Sequence, residues 1–141
     1  MPKEYVSVAL KRFVFNRATG CCEYCRSQAR FAIESLVIEH IIPTSRGGET
    51  IADNLALACQ GCNNYKYTKI EGLDPVDAQP VVLYNPRTML WSDHFAWNED
   101  TTLMIGLTPI GRATVSALRL NREGVANLRQ VLRSTGQHPP V

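Results

Sequence analysis

The stretch Cys59-Gln60-Gly61-Cys62-Asn63-Asn64-Tyr65-Lys66 contains a Cys-x-x-Cys pair, and Cys22-Glu23-Tyr24-Cys25 contains another. Two such pairs supply four thiolates, the ligand set that closes a tetrahedral structural zinc site and leaves no open position for chemistry. The chain has five cysteines. Disulfide pairing would leave one over, whereas four metal ligands and a spare thiol fit a reducing compartment. Cys21 is the spare because Cys22 and Cys25 have the commoner spacing. We therefore predict a zinc ion bound by Cys22, Cys25, Cys59 and Cys62.

The length of the chain, 141 residues, suits one domain with a modest hydrophobic core, to which a metal site would add stability. The longest apolar runs, residues 36–38 and 80–83, are too short to cross a bilayer. The charged start of the chain is not followed by the apolar segment of a signal peptide. We expect a soluble protein of the cytoplasm that does not bind membranes.

The net charge of +2 is unevenly distributed along the chain. Residues 1–30 and 109–141 each carry a net charge of +4, whereas residues 31–66 carry −2 and residues 67–108 carry −4. If the two basic ends fold to the same side, they form a surface for phosphates, and the acidic middle would suit a cation-binding hydrolytic centre. Ordinary solvated faces explain the same pattern equally well.

Hydrophobic periodicity and turn residues divide the chain into short elements. Residues 5–18 are predicted to form an amphipathic helix with a basic face free for a partner. The other predicted helices are 60–70, 109–120 and 122–134, and the predicted strands are 36–42, 55–58, 81–84, 95–97 and 103–105. Thr108 and Asn121 are the expected N-caps of the last two helices. Residues 137–141, including His138, are expected to form a loose tail.

Polar residues that could serve catalysis lie between and just after the two cysteine pairs. They occur in the segments Glu39-His40-Ile41-Ile42-Pro43, Gly47-Gly48, Asp53-Asn54-Leu55 and Cys59 to Lys66. In this order the segments resemble the HNH endonuclease motif of the ββα-metal superfamily, in its four-cysteine variety. The resemblance covers residues 21–67. The rest of the chain is similar, more weakly, to the C-terminal extension of small standalone HNH proteins from bacteria, particularly cyanobacteria.

The resemblance implies an α+β fold in a single domain over residues 1–141. We expect an N-terminal helix in residues 1–20, a zinc-stapled ββα-metal core in 21–70, and a C-terminal extension with a hairpin and two helices in 71–141. It also implies a metal-dependent endonuclease that hydrolyses phosphodiester bonds in DNA. Such an enzyme would contain structural Zn²⁺ and a catalytic Mg²⁺ or Mn²⁺.

The resemblance also assigns roles to four residues. His40 would be the general base, Asn54 would hold the hairpin loop in place, and Glu39 and Asn63 would bind the catalytic cation. These residue types suit the reaction, which needs a water deprotonated near neutral pH and a hard cation to neutralise charge on the phosphate. Glu39 stands where Asp is usual in the family, and Asn63 replaces the terminal His. Both substitutions keep an oxygen donor, as Mg²⁺ prefers.

Four basic residues are the expected contacts to nucleic-acid phosphates. Lys66 would lie one helical turn after Asn63, and Arg46 would lie in the hairpin loop. Arg112 and Arg119 are seven residues apart on a predicted helix, where contact with DNA and a solvated face are both compatible with the pattern. RNA stays open as a substrate, and neither the target nor the oligomeric state follows from the sequence.

Three other kinds of protein could contain paired cysteines. A non-catalytic zinc module that binds nucleic acid or protein is the main alternative, in which Glu39 and His40 would be incidental. A zinc deaminase requires His-x-Glu, whereas Glu39 and His40 are adjacent and in the opposite order. Thiol redox chemistry needs one Cys-x-x-Cys pair and does not explain two. Outside the motif, His94, Trp91 and Trp97 are expected to have packing roles.

Overall fold

The computed structural model describes residues 5–140, so the expectations for residues 1–4 and 141 lie outside the described residues. The described chain is a mixed structure of helices and three small antiparallel sheets, as the sequence predicted. The helices are α1 (Val8–Arg17), α2 (Gln60–Lys66), α3 (Trp91–His94), α4 (Pro109–Ala117) and α5 (Glu123–Ser134). The strands are β1 (Val37–His40), β2 (Leu55–Ala58), β3 (Glu71–Leu73), β4 (Pro80–Val82), β5 (Phe95–Trp97) and β6 (Met104–Gly106). Among residues 5–140, no helix is long and apolar enough to cross a membrane.

The antiparallel hairpin of β1 and β2 has a different apolar cluster on each face. Because side chains alternate along a strand, Leu55 and Leu57 point to one face, and Ala56 and Ala58 point to the other. The leucines pack against α1, whereas the alanines join the larger cluster that contains Cys22, Cys25 and Cys62 and C-terminal apolar residues. The hairpin therefore lies between α1 and the rest of the core.

Helix α1 confirms the predicted N-terminal helix with slightly shorter bounds. Ser7 caps its start by accepting a hydrogen bond from a backbone N–H of the first turn. Its end follows from Gly20, whose φ of 69° leaves the helical region. Val14 is fully buried, but the equally apolar Phe13 is 51% exposed. The buried face of α1 is therefore narrower than its sequence suggested.

Helix α2 begins directly after β2, so the strand and the helix are joined without a loop. Cys59 is its N-cap, and the Cys59 Sγ accepts a hydrogen bond from the backbone N–H of Cys62. The helix ends at Lys66 because Tyr67 has a φ of 49°. The predicted extension to residue 70 was wrong.

The C-terminal half of the described chain confirms the predicted hairpin and the two helices. β5 and β6 pair with each other, and Thr108 caps α4 through its Oγ1, which accepts from the Gly111 N–H. β4 was predicted at residues 81–84 and lies one or two residues earlier. Its partner, β3, was not predicted. Asn121 does not cap α5. Its side chain exchanges two hydrogen bonds with the backbone of Met104 instead.

Candidate active site and metal centre

The sulfur atoms of Cys22, Cys25, Cys59 and Cys62 all lie within 4.8 Å of one another. A zinc ion with four Zn–S bonds of about 2.3 Å requires sulfurs about 3.8 Å apart, so these residues fit zinc in number, chemistry and spacing. Cys21 is outside the cluster, and its Sγ lies 3.6 Å from a backbone carbonyl oxygen. The structure thus places Cys22 in the sulfur cluster and Cys21 outside it, and the assignment of Cys22 as a zinc ligand stays a prediction.

The hydrogen bonds among these thiols favour thiolate formation at two of them. Hydrogen bonding from Cys22 lowers the pKa of Cys25 well below its usual range and lowers the pKa of Cys59 to about 7. Burial raises the pKa of Cys22. Because zinc binds thiolates, metal binding should release the remaining protons.

The first cysteine knuckle, residues 22–25, is hydrogen-bonded to the outer edge of β2. The Glu23 N–H donates to the carbonyl of Leu57 at 2.9 Å, and the Glu23 Oε2 accepts from the Leu57 N–H at 2.8 Å. The second knuckle, residues 59–62, starts with Cys59 directly after the end of the same strand. A metal ion bound by both knuckles would therefore link the loop after α1 to the junction of β2 and α2.

His40 lies half exposed at the end of β1. Its Nε2 is 2.9 Å from the hydroxyl of Thr50, which fixes the orientation of the ring. Glu39 precedes it on the same strand, so the two side chains point to opposite faces of the hairpin.

Glu39 is directed toward α2, where it forms a buried network with two other side chains. Its Oε1 lies 2.5 Å from the Nζ of Lys66, and its Oε2 accepts a hydrogen bond of 2.7 Å from the hydroxyl of Tyr24. The Lys66 Nζ also donates to the carbonyl of Ile41 at 2.7 Å. Burial raises the pKa of Glu39, although Lys66 opposes the shift. Both carboxylate oxygens are thus engaged within the protein.

Asn54 fixes the loop between β1 and β2 through its side chain. The Nδ2 donates to the carbonyls of Ile42 and Glu49 at 3.0 and 2.9 Å, and the Oδ1 accepts from the Ile42 N–H at 2.9 Å. Gly48 passes so close that a Cβ atom there would lie 1.7 Å from the Ile42 carbonyl oxygen. Asn63 lies half exposed on α2.

The four expected phosphate contacts lie in different environments. Arg46 is exposed and donates to the carbonyl of Thr68, and Arg119 is exposed above the ring of Tyr65. Lys66 is only 2% exposed, so its predicted contact with phosphate is not supported by its position. Arg112 forms a bidentate pair with Asp74 at 2.9 and 2.7 Å. This pair explains the position of Arg112 without DNA.

Three residues near the site were not singled out from the sequence. Tyr24 lies between Cys22 and Cys25 and binds Glu39, Thr50 binds His40, and Arg122 donates to the sulfurs of Cys59 and Cys62. The position of Tyr24 inside the knuckle was a signal that could have been used. Thr50 and Arg122 are brought to the site by tertiary packing alone.

Comparison with known proteins identifies the segment that contains these residues. Residues 22–69 match the family model described as HNH endonuclease. The matched segment includes both cysteine pairs, the β1–β2 hairpin and α2. No curated protein matches the chain.

Proposed function

We propose that the HNH domain formed by residues 22–69 makes this protein an endonuclease that hydrolyses phosphodiester bonds in DNA, with His40 as the general base. The family model supports nuclease activity in general terms. The observation that carries the role of His40 is a chain of hydrogen bonds that begins at Asn54. Asn54 holds the loop at Glu49, and the next residue, Thr50, holds the imidazole of His40.

A general base must keep a fixed orientation while remaining within reach of the water that it deprotonates. The hydroxyl of Thr50 provides the orientation, and the half-exposed position of His40 leaves it accessible to substrate and water. The imidazole would take a proton from the attacking water, which then forms the new bond to phosphorus as the leaving oxygen departs. Asn54 would act through the loop and is therefore a positioning residue.

A catalytic Mg²⁺ or Mn²⁺ bound by Glu39 and Asn63 is part of the prediction from the resemblance. In the described arrangement these residues do not fit a divalent cation, because Tyr24 and Lys66 engage both oxygens of Glu39. Such an ion could reach Glu39 only if the ammonium group of Lys66 withdrew. The role proposed for His40 does not depend on this site.

The engagement of Glu39 favours one alternative function, a zinc module that binds nucleic acid without cutting it. In that case the Glu39–Lys66 pair would be purely structural. Exposed Arg46 and Arg119 would serve either function as phosphate contacts. The two functions differ in whether the removal of His40 changes cleavage.

The test is cleavage of supercoiled plasmid and of single-stranded RNA, each with no added divalent metal, with Mg²⁺ and with Mn²⁺. Omitting the metal is preferable to a strong chelator, which would also remove structural zinc. We expect DNA cleavage by the wild type and a loss of roughly a hundred- to ten-thousand-fold in rate for His40→Ala. Zinc content, melting temperature and DNA affinity should remain close to wild type.

His94→Ala is the matched control because His94 also bonds a threonine hydroxyl, at 2.6 Å, but lies outside the HNH domain. It should cleave at the wild-type rate. Wild-type cleavage by His40→Ala would remove the proposed base and leave the zinc module as the better description. Preferential cleavage of RNA would reassign the substrate.

A further inference from the structure

Arg122, at the start of α5, directs its guanidinium group at the cysteine cluster. Its Nη2 lies 3.2 Å from the Sγ of Cys59 and 3.7 Å from the Sγ of Cys62, and its Nη1 lies 3.6 Å from the Sγ of Cys62. The same group lies over the ring of Tyr65 and donates to the carbonyls of Leu118 and Arg119. It is thus held on several sides in a position to donate to sulfur.

Gly61 makes this approach possible. It lies between the two cysteines that Arg122 contacts, and a Cβ atom there would lie 2.5 Å from the Nη2 and 2.9 Å from the Cζ of Arg122. Any side chain at this position would push the guanidinium away from the sulfurs. The Cys-Gln-Gly-Cys sequence of the second knuckle therefore suits an arginine donor from outside the knuckle.

The charge of the metal centre gives this contact a function. Zinc bound by four thiolates carries a net charge of −2, and hydrogen bonds from outside the ligand set stabilise such thiolates and hold them in place. Cys59 is the half-exposed ligand, whereas Cys22, Cys25 and Cys62 are buried. It lines a cavity of about 660 Å³ that Arg122 also borders. The shortest contact of Arg122 is thus made to the sulfur that solvent or a competing chelator would reach first.

We propose that Arg122 is a positioning residue for the zinc centre, which partly neutralises the four-thiolate site and slows the release of the metal. Arg122 lies far outside the matched segment 22–69. The C-terminal extension therefore completes the zinc centre of the HNH domain. This role is independent of the proposed nuclease activity, because it concerns only how the metal is held.

The test measures zinc release from the purified, zinc-loaded full chain into an excess of a chromogenic chelator. Arg122→Leu should release zinc about 10- to 100-fold faster than the wild type, the usual effect of losing an outer partner of a metal ligand. In the cobalt-substituted protein, the thiolate-to-metal charge-transfer band should move to lower energy, because thiolates that lose a hydrogen bond are better electron donors. A purely structural role for Arg122 would not move this band.

Two further variants separate the thiolate contact from other effects. Gly61→Ala keeps the charge of Arg122 and favours the helix, yet it should accelerate zinc release and shift the band because it displaces the guanidinium. Arg119→Leu is the matched control, since Arg119 also lies over Tyr65, at 4.9 Å, but takes no part in the hydrogen bonds to sulfur described above. It should release zinc at the wild-type rate and give the wild-type cobalt spectrum.

The proposal is overturned if Arg122→Leu releases zinc at the wild-type rate with an unchanged cobalt spectrum. If Arg122→Leu does not fold, the zinc-release rate and the cobalt spectrum of Gly61→Ala decide instead, and wild-type values for both would overturn the proposal. Equally fast zinc release by Arg119→Leu would also overturn the proposal. The effect would then come from losing a guanidinium group that lies over Tyr65 and not from losing the hydrogen bonds to sulfur.

Discussion

At the scale of single residues, the ion pair of Glu39 and Lys66 is the least expected feature of the site. The two side chains are 3% and 2% exposed. Removing such charges from water costs several kcal/mol per ion, and their mutual attraction offsets this only when further hydrogen bonds complete the network. Tyr24 and the Ile41 carbonyl supply those bonds. Lys66 therefore stabilises the buried carboxylate and, through it, the contact between β1 and α2.

Lys66→Met should lower the free energy of unfolding by about 3–5 kcal/mol, because it leaves a buried carboxylate without its cation. Urea denaturation of the zinc-loaded protein measures this loss. The double variant Glu39→Gln with Lys66→Met should recover much of it, since no charge is then left unpaired. A Lys66→Met variant of unchanged stability but strongly reduced DNA affinity would instead support the original prediction of a phosphate contact.

The same residues show what sequence can and cannot predict about the site. The cysteine ligands were predictable because a metal site constrains spacing along the chain. Helical spacing indicated that Asn63 and Lys66 are neighbours on α2, but it does not say which part of the helix is covered. Glu39 and Ile41 of the hairpin contact the buried Lys66, and that packing depends on the whole fold.

At the scale of elements, the segment after α5 is packed and not a loose tail as predicted, within the described residues up to 140. The Gln137 carbonyl accepts a hydrogen bond of 2.6 Å from Gln28 in the loop after the first knuckle. The His138 Nε2 lies 2.7 Å from the carbonyl of Thr101, and its ring contacts Trp97 at 4.7 Å. The segment therefore joins the knuckle loop to the β5–β6 hairpin. Composition alone could not reveal these long-range contacts.

The packing of His138 predicts a pH dependence of stability. Burial lowers the pKa of His138, and Arg129 adds to the shift, while the Thr101 carbonyl opposes it. Because the folded state disfavours the charged ring, the unfolded chain binds the proton more readily, and stability should fall as the pH drops below about 6.5. His138→Gln should show a shallower fall in melting temperature between pH 7.5 and 5.5. Equal slopes for variant and wild type would contradict the assignment.

The remaining differences in the elements have a common cause. β3 contains Gly72 and has only three residues, so its sequence carries little strand signal, and it forms because β4 and α4 pack beside it. Asn121 has a good residue type for an N-cap, yet its side chain bonds Met104 of β6 instead. Local propensity was overridden by tertiary contacts in both cases. The strongly patterned β1–β2 hairpin and helices α4 and α5 were predicted because their signals are local.

At the scale of the whole molecule, the C-terminal extension is joined to the segment that matches the HNH model at the cysteine cluster. Besides Arg122, the buried Arg129 of α5 donates to the carbonyl of Cys25 at 3.1 Å, and to those of Thr102 and Leu120 at 2.9 and 2.8 Å. A single side chain thus connects the first knuckle, the β5–β6 turn and the link between α4 and α5. Disruption of the knuckle should therefore reach the extension as well.

Adjacent Cys21 and Cys22 provide a matched test of this coupling, because both are buried but only Cys22 belongs to the sulfur cluster. Cys22→Ser should lose tightly bound zinc, and since metal binding and folding are coupled, it should unfold at a lower temperature than the wild type. Trp91 and Trp97 lie in the extension and pack on the main core, so their fluorescence reports on that region while circular dichroism reports on the whole chain. Both transitions should shift together.

Cys21→Ser should retain about one zinc per chain and a melting temperature close to that of the wild type, because its sulfur lies outside the metal cluster, near a backbone carbonyl. Loss of zinc in this variant would show that the ligand is Cys21 and not Cys22. A Cys22→Ser variant that loses zinc but keeps a wild-type tryptophan transition would show that the extension is stable without the metal centre. The contacts of Arg122 and Arg129 would then not couple the stability of the extension to zinc binding. If the zinc centre supports both parts of the chain, the two transitions of Cys22→Ser must shift together. Cys21→Ser must keep its zinc and its wild-type melting temperature.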